Sequence, residues 1–216
     1  SYSEIDYNWQ TGAIINVVLS DDATSSAIDL PFNFPFYDHT ITNFAISSNG
    51  FIFLNVNGGH SGCCTGQSME NHSLTNFGDG IIAFHWEDYG PHYGTGTISH
   101  GLSNNSDGYI IQFTNIPHYG NNDPQTSQVI LYPDGNFDIV IDIATIINQN
   151  GNNHTVGWSN MSSGTNICYG SDCNYDNIAW RVSLNDLGCM DPSACNYDPE
   201  AIEDNGSCAY YYDCAD

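Results

Sequence analysis

The sequence has almost no positive charge. Of its 216 residues one is Lys or Arg, namely Arg181, against 25 Asp and Glu, for a net charge of −24. A surface of that sign repels nucleic acid and anionic membranes, so neither is expected as a partner. It repels itself too, unless cations screen or bind it. With Arg181 alone the chain offers almost nothing to trypsin-like proteases, which suits life outside a cell. Long apolar runs are missing as well. The most apolar early stretch, Ala13 to Leu19, is short and broken by Asn16, so no transmembrane span or membrane insertion is expected. No extended segment carries a 3.6-residue apolar period. Catalytic signatures are absent: there is no Gly-x-Ser-x-Gly, no His-Glu-x-x-His and no Walker loop. The many carboxylates read as a solvated surface rather than the facing pair of a glycosidase. The expectation is a protein that is not an enzyme and uses no organic cofactor.

What is present is a core and a set of staples. Hydrophobic residues make up 40% of the chain, enough to rule out a disordered tail. Eight cysteines argue for an oxidising compartment. The chain opens on Ser1 rather than Met, as expected if an export signal has been removed. The clearest pattern is Gln128 to Ile143. Tyr-Pro-Asp-Gly (132–135) supplies a fixed φ, an Asp that bonds its own backbone and a Gly for positive φ. Phe137, Ile139, Ile141 and Ile143 then alternate with Asp138 and Asp142, which predicts a hairpin with a half-buried strand. Val140 interrupts the polar side, so that face should be covered by another segment or a neighbouring subunit.

Further strands are expected at Ala13–Leu19, Ile28–Tyr37, Thr40–Ser48, Phe51–Asn55, Gly80–Trp86, Thr95–Leu102, Tyr109–Asn115, His154–Ser159 and Ile178–Leu184. The prolines at 31 and 35 put the second of these at a sheet edge or a bend. Ser-Ser-Asn-Gly (47–50) is a tight-turn signal between two of them. Short strands separated by turn signals predict an all-β antiparallel sandwich over residues 1–186. Residues 187–216 change character. They are dense in Cys, Pro and Asp, as in a small acidic module that needs disulfides to hold it.

The motifs Leu-Pro-Phe-Asn-Phe-Pro-Phe-Tyr (30–37), Ile-Ser-Ser-Asn-Gly-Phe-Ile (46–52), Ile-Ala-Phe-His-Trp-Glu-Asp (82–88), Gln-Val-Ile-Leu-Tyr-Pro-Asp-Gly-Asn-Phe (128–137) and Val-Gly-Trp-Ser-Asn (156–160) occur in that order. The ordered set resembles β-sandwich modules of large secreted and cell-surface bacterial proteins, Bacteroidota-like ones especially. The resemblance implies a jelly-roll-like sandwich used in surface architecture or adhesion. The tail, Gly-Cys-Met-Asp-Pro-Ser-Ala-Cys-Asn-Tyr (188–197) with Asp-Asn-Gly-Ser-Cys (204–208), resembles a Cys-rich repeat found at the ends of secreted bacterial proteins. There the expected pairs are Cys189–Cys208 and Cys195–Cys214, among other connectivities open to four cysteines. In the sandwich, Cys63 and Cys64 are each expected to reach one of Cys168 and Cys173. Four thiolates around zinc is the less favoured reading, because adjacent cysteines suit tetrahedral chelation poorly.

Other candidate sites follow from residue type. Asp191, Asn196, Asp198, Glu203, Asp204 and Asn205 offer hard oxygen ligands for calcium, without the spacing of an EF-hand. His85, Glu87, Asp88 and His92 crowd together, but read better as a polar strand end than as a metal site. Sequons at Asn71, Asn104, Asn153, Asn160 and Asn205 make glycosylation a candidate, although composition alone produces that number. Two roles follow. One is a structural subunit that joins copies of itself head to tail into an extracellular filament. Its mechanism would be donation of Ser1–Gln10, where Ile5, Tyr7 and Trp9 alternate, unless that strand pairs within its own chain. The other is a carbohydrate-binding or adhesive module using loop aromatics such as Trp86, Tyr89, Tyr93 and Tyr119.

Overall fold

The structure is a computed structural model describing residues 1–12, 15–56, 63–71, 78–120, 123–144, 153–160, 162–184, 187–199, 201, 203–204 and 206–210. Its strands, in chain order, are β1 (Tyr2–Ile5), β2 (Ile15–Val17), β3 (Ile28–Phe36), β4 (His39–Ser47), β5 (Phe51–Leu54), β6 (Gly80–Trp86), β7 (Thr97–Leu102), β8 (Tyr109–Pro117), β9 (Pro124–Leu131), β10 (Phe137–Ala144), β11 (His154–Ser159), β12 (Gly164–Gly170), β13 (Tyr175–Val182), β14 (Leu187–Gly188) and β15 (Glu203–Asp204). Short 3-10 turns lie at Met69–Asn71 and Pro91–Tyr93. No helix among the described residues is long and apolar enough to cross a membrane.

Two antiparallel sheets form the sandwich. The seven-stranded sheet runs β1-β13-β10-β9-β8-β7-β2, and the six-stranded sheet β12-β11-β6-β5-β4-β3. The alternation in β10 works as read. Phe137, Ile139 and Ile141 point between the sheets, where they meet Phe34, Phe44, Ile46, Ile82, Phe84 and Trp158. In the β9–β10 hairpin Gly135 takes φ 86° and donates its N–H to the Tyr132 carbonyl at 3.0 Å. Asp138, on the other face, is closed by Arg181 in a two-pronged contact of 2.6 and 2.7 Å and by the Tyr132 hydroxyl at 2.9 Å. The chain's one guanidinium also lies over the Tyr132 ring, 4.8 Å from its centroid.

Each sheet carries a second apolar patch on its outer face. Val140, with Ile110, Ile130 and Ala179, forms the patch on the seven-stranded sheet. It is covered by the chain's own N-terminus. β1 pairs with β13 from Tyr2↔Val182 to Ile5↔Ala179, and Ile5, Tyr7 and Trp9 then pack onto the patch. The strap is pinned by Tyr7 OH to Asp142 at 3.0 Å and by Gln10 N–H to Gln128 at 2.8 Å. It reaches the opposite edge, where Thr11 accepts from Asn104 and β2 pairs with β7. Val140's break in the polar pattern therefore has an intramolecular cause. Residues 1–5 pair inside their own chain, the alternative to donation that the sequence left open. The outer patch of the six-stranded sheet, around Phe51, Phe53, Ile81 and Trp86, is capped by Met69.

The sheet edges differ. β3 at one edge of the six-stranded sheet contains Pro31 and Pro35, which lack N–H groups to offer a neighbour. The edges of the seven-stranded sheet, β1 and β2, contain no proline. On and beside β2, Ile15 is 59% exposed and Val18 94% exposed. Ile15, Leu30, Pro31, Leu102 and Tyr109 line a mostly apolar groove of about 370 Å³ alongside.

Two expectations were incomplete. β12 (Gly164–Gly170) was not foreseen, because its Gly, Asn and Cys content hides any alternation. Ala13, at the start of an expected strand, lies outside the described residues, and β2 proper begins at Ile15.

Candidate functional site

At one end of the sandwich four ionisable side chains converge out of reach of water. β6 delivers His85 and, just past its last residue, Glu87. His118 follows β8 and bridges to Tyr89, and His154 opens β11. All four are buried. His118 Nε2 lies 3.0 Å and His154 Nδ1 3.2 Å from Glu87 Oε2. Ligand atoms of His85, Glu87 and His154 all fall within 4.8 Å of one another.

The turn Ser-Ser-Asn-Gly (47–50) braces this end. Asn49 accepts the Tyr89 N–H on its side chain at 2.9 Å and the Glu87 N–H on its carbonyl at 3.1 Å, while its amide donates to Asp22 at 2.9 Å. Gly50 sits at φ +80°, and a Cβ there would stand 2.2 Å from the His85 carbonyl oxygen. That position therefore needs glycine for both conformation and space.

The electrostatics follow from burial and from the neighbours. Burial drives His85 down to about 3, so its ring is neutral at ordinary pH. Its Nε2 faces the Cys173 carbonyl at 3.3 Å, and its Nδ1 contacts the Tyr89 hydroxyl. A carbonyl can only accept, so the ring proton belongs on Nε2 and the lone pair on Nδ1. Burial would raise Glu87, but His118 and His154 hold it at about 2. Tyr89 is pushed well above its ordinary value by burial and by Glu87. Asp88 does not join the cluster. It turns toward Asp21 and Asp22, and burial with those two carboxylates lifts it to about 6. His92 stacks on Tyr93 instead, centroids 3.9 Å apart.

Of the four residues grouped in the sequence, then, the fold brings His85 and Glu87 together and sends Asp88 and His92 elsewhere. His118 and His154 were missed. Each stands at a strand end more than thirty residues away and joins only through β6–β11 pairing and the Tyr89–His118 bridge. The one local hint is a histidine placed inside the apolar run Ile-Ala-Phe-His-Trp (82–86).

The aromatic candidates divide. Trp86 and Tyr89 are core residues, corrected from the surface role expected of them, because β6, which carries Trp86, is buried on both faces and Tyr89 packs against Phe113 and His118. Tyr93 and Tyr119 are 51% and 42% exposed and meet edge to face at 5.5 Å.

The cysteines also correct an expectation. Cys63 is paired with Cys64, and Cys168 with Cys173 across a Cα separation of 5.7 Å, so no disulfide joins the two loops. The turn from β12 to β13 brings its own two cysteines within bonding reach. The early loop is held instead by hydrogen bonds: Gly66 N–H to the Asn153 carbonyl, Met69 N–H to Asn166, and Thr155 Oγ1 to the Gln67 carbonyl. Cys63 and Cys64 Sγ approach Asp22 at 3.4 and 3.6 Å. In the tail Cys189 is bonded to Cys208. Cys195 is disulfide-bonded too, while Cys214 lies outside the described residues.

The calcium candidates serve turns. Asp191 accepts from Ser193 and from Tyr210 OH, Asn196 bridges Ser207 and Ala209, and Asp204 accepts the Gly206 N–H. Asp198 donates its N–H to the Cys189 carbonyl. Among the described residues of the tail no three of these acids gather. The Glu203 side chain and Asn205 lie outside the described part. Of the sequons, Asn104 is exposed and donates to Thr11, Asn153 donates to Tyr169, and Asn160 accepts from Ser162 and Ser163. The Asn71 side chain also falls outside the description.

A family model described as NIDO-related matches residues 1–181. No curated protein and no solved structure matches the chain.

Proposed function

The chain belongs to the NIDO-related family, and from that premise we propose that it is a structural subunit of an extracellular assembly, joining copies of itself head to tail. Family membership, the all-β sandwich and the disulfides fit an extracellular module of adhesive type. The observation that carries the finer reading is the contrast between edges. β1 and β2 close opposite ends of one sheet, have no proline between them, and in a chain without lysine have no lysine to deter pairing. Setting β2 of one copy beside β1 of the next continues the sheet, and Tyr2, 45% exposed on β1, is the side chain to fill the groove beside Ile15. Such a contact joins two different surfaces, so it propagates rather than closing into a symmetric pair. Electron microscopy of the full chain at high concentration tests the proposal. Regular filaments support it, and dispersed single particles at every concentration and salt level overturn it.

A second reading rests on Tyr93 and Tyr119, an exposed ring pair of the sort on which sugar faces stack. A glycan array compared between the wild type and Tyr93→Ala with Tyr119→Ala separates it from the first. Glycan binding lost in the variant supports an adhesive role.

A further inference from the structure

We propose that His85, Glu87 and His154 bind one divalent transition-metal ion, of the zinc class, at this end of the sandwich. Three observations carry it. The first is spacing. A tetrahedral shell with metal–ligand bonds of about 2.0–2.1 Å has ligand–ligand edges of about 3.3 Å; Glu87 Oε2 stands 3.2 Å from His154 Nδ1, and ligand atoms of His85, Glu87 and His154 lie within 4.8 Å of one another. The second is alignment. Despite those distances, Glu87 Oε2, His118 Nε2 and His154 Nδ1 are buried and not aimed along one another as hydrogen bonds among the described residues. A cation between Glu87 Oε2 and His154 Nδ1 satisfies both. The third is the outer shell. The His85 ring is oriented by the Cys173 carbonyl on Nε2, the contact that sets the tautomer of a metal-bound histidine.

The donor set is imidazole and carboxylate without thiolate, which suits zinc or a similar borderline ion better than calcium. Glu87 and His154 belong to the six-stranded sheet and its margin, whereas His118 extends a strand of the seven-stranded sheet. His118 therefore reaches the Glu87 carboxylate from across the sandwich as a second contact on it, not as a ligand of the ion. Binding displaces the Tyr89 hydroxyl from His85 Nδ1. No bond is made or broken beyond coordination.

The test uses the full chain, stripped with chelator and titrated with Zn(II) by calorimetry and with Co(II) by visible absorption. The expected result is one equivalent bound, Co(II) bands of a tetrahedral nitrogen–oxygen site without thiolate charge transfer, and a higher Tm with Zn(II). Glu87→Gln and His154→Gln should each weaken Zn(II) binding at least about 100-fold, beyond the usual cost of losing an outer-shell partner. Asp138→Asn, at the other polar cluster, should leave it unchanged. If a variant fails to fold, X-ray absorption of the zinc-loaded wild type decides alone, through imidazole scattering from at least two histidines. No stoichiometric binding, a sulfur-ligated ion, a carboxylate-only shell, or folded variants that bind as the wild type does would each overturn the proposal.

Discussion

The outer face of the seven-stranded sheet is covered by the chain's own N-terminal strap, while nothing among the described residues pairs with the outer side of its two edge strands. On the face, Ile5, Tyr7 and Trp9 bury Ile110, Ile130, Val140 and Ala179, and side-chain hydrogen bonds fasten the strap along its length. At the edge, Ile15 and Val18 face water with neither proline nor charge beside them on β2. Apolar surface left in water costs stability in both places; the chain itself relieves that cost on the face and, among the described residues, not at Ile15 and Val18. The strap is part of folding, and the edges are where the proposed contact with a second copy would form.

Perturbing the two regions should therefore give opposite results. Deleting residues 1–10 removes three apolar side chains and bares the patch beneath them, for a loss of roughly 5 kcal/mol, read as a lowered denaturant midpoint. A deletion that folds with unchanged stability breaks the comparison. Asp138→Ala comes next. It strands Arg181, whose side chain is partly exposed, and the Tyr132 hydroxyl, at a cost of about 3 kcal/mol in urea unfolding.

Tyr7→Phe sharpens the account of the strap. It loses one hydrogen bond to Asp142, worth about 1 kcal/mol. Burial, then Asp142, push the Tyr7 hydroxyl up to about 12. A raised folded value means this contribution is complete below the unfolded value near 10 and is lost as pH climbs through 12. The wild type should therefore lose stability over that alkaline window more steeply than Tyr7→Phe does, as followed by chemical unfolding at stepped pH. The smallest effect on folding is expected from Ile15→Asp and Val18→Asp, each within about 0.5 kcal/mol, because both side chains already face solvent.

Much of the frame was legible because it is periodic. The 128–143 hairpin declared itself through Tyr-Pro-Asp-Gly and alternate isoleucines, and Val140 foretold a cover on the far face. Its identity was not legible, since Tyr7 and Trp9 read equally well as a strand for export to a neighbour. The Glu87 cluster was half visible. His85 and Glu87 are two residues apart, but His118 and His154 arrive only through long-range pairing that leaves no local trace. The four sandwich cysteines misled for a related reason, whereas the expected Cys189–Cys208 pair formed. Their compartment can be read from their number, whereas their partners depend on how tightly the turn from β12 to β13 closes.

The assembly proposed for this chain depends on its edge strands joining copies. Sedimentation velocity of the full chain over a wide concentration range, beside the Ile15→Asp, Val18→Asp double variant, tests it most directly. The wild type should grow into large species with concentration. Growth should be stronger in higher salt, where the charge of −24 is screened, and the equally stable variant should remain monomeric. A wild type that stays monomeric throughout, or a variant that assembles as readily, contradicts it.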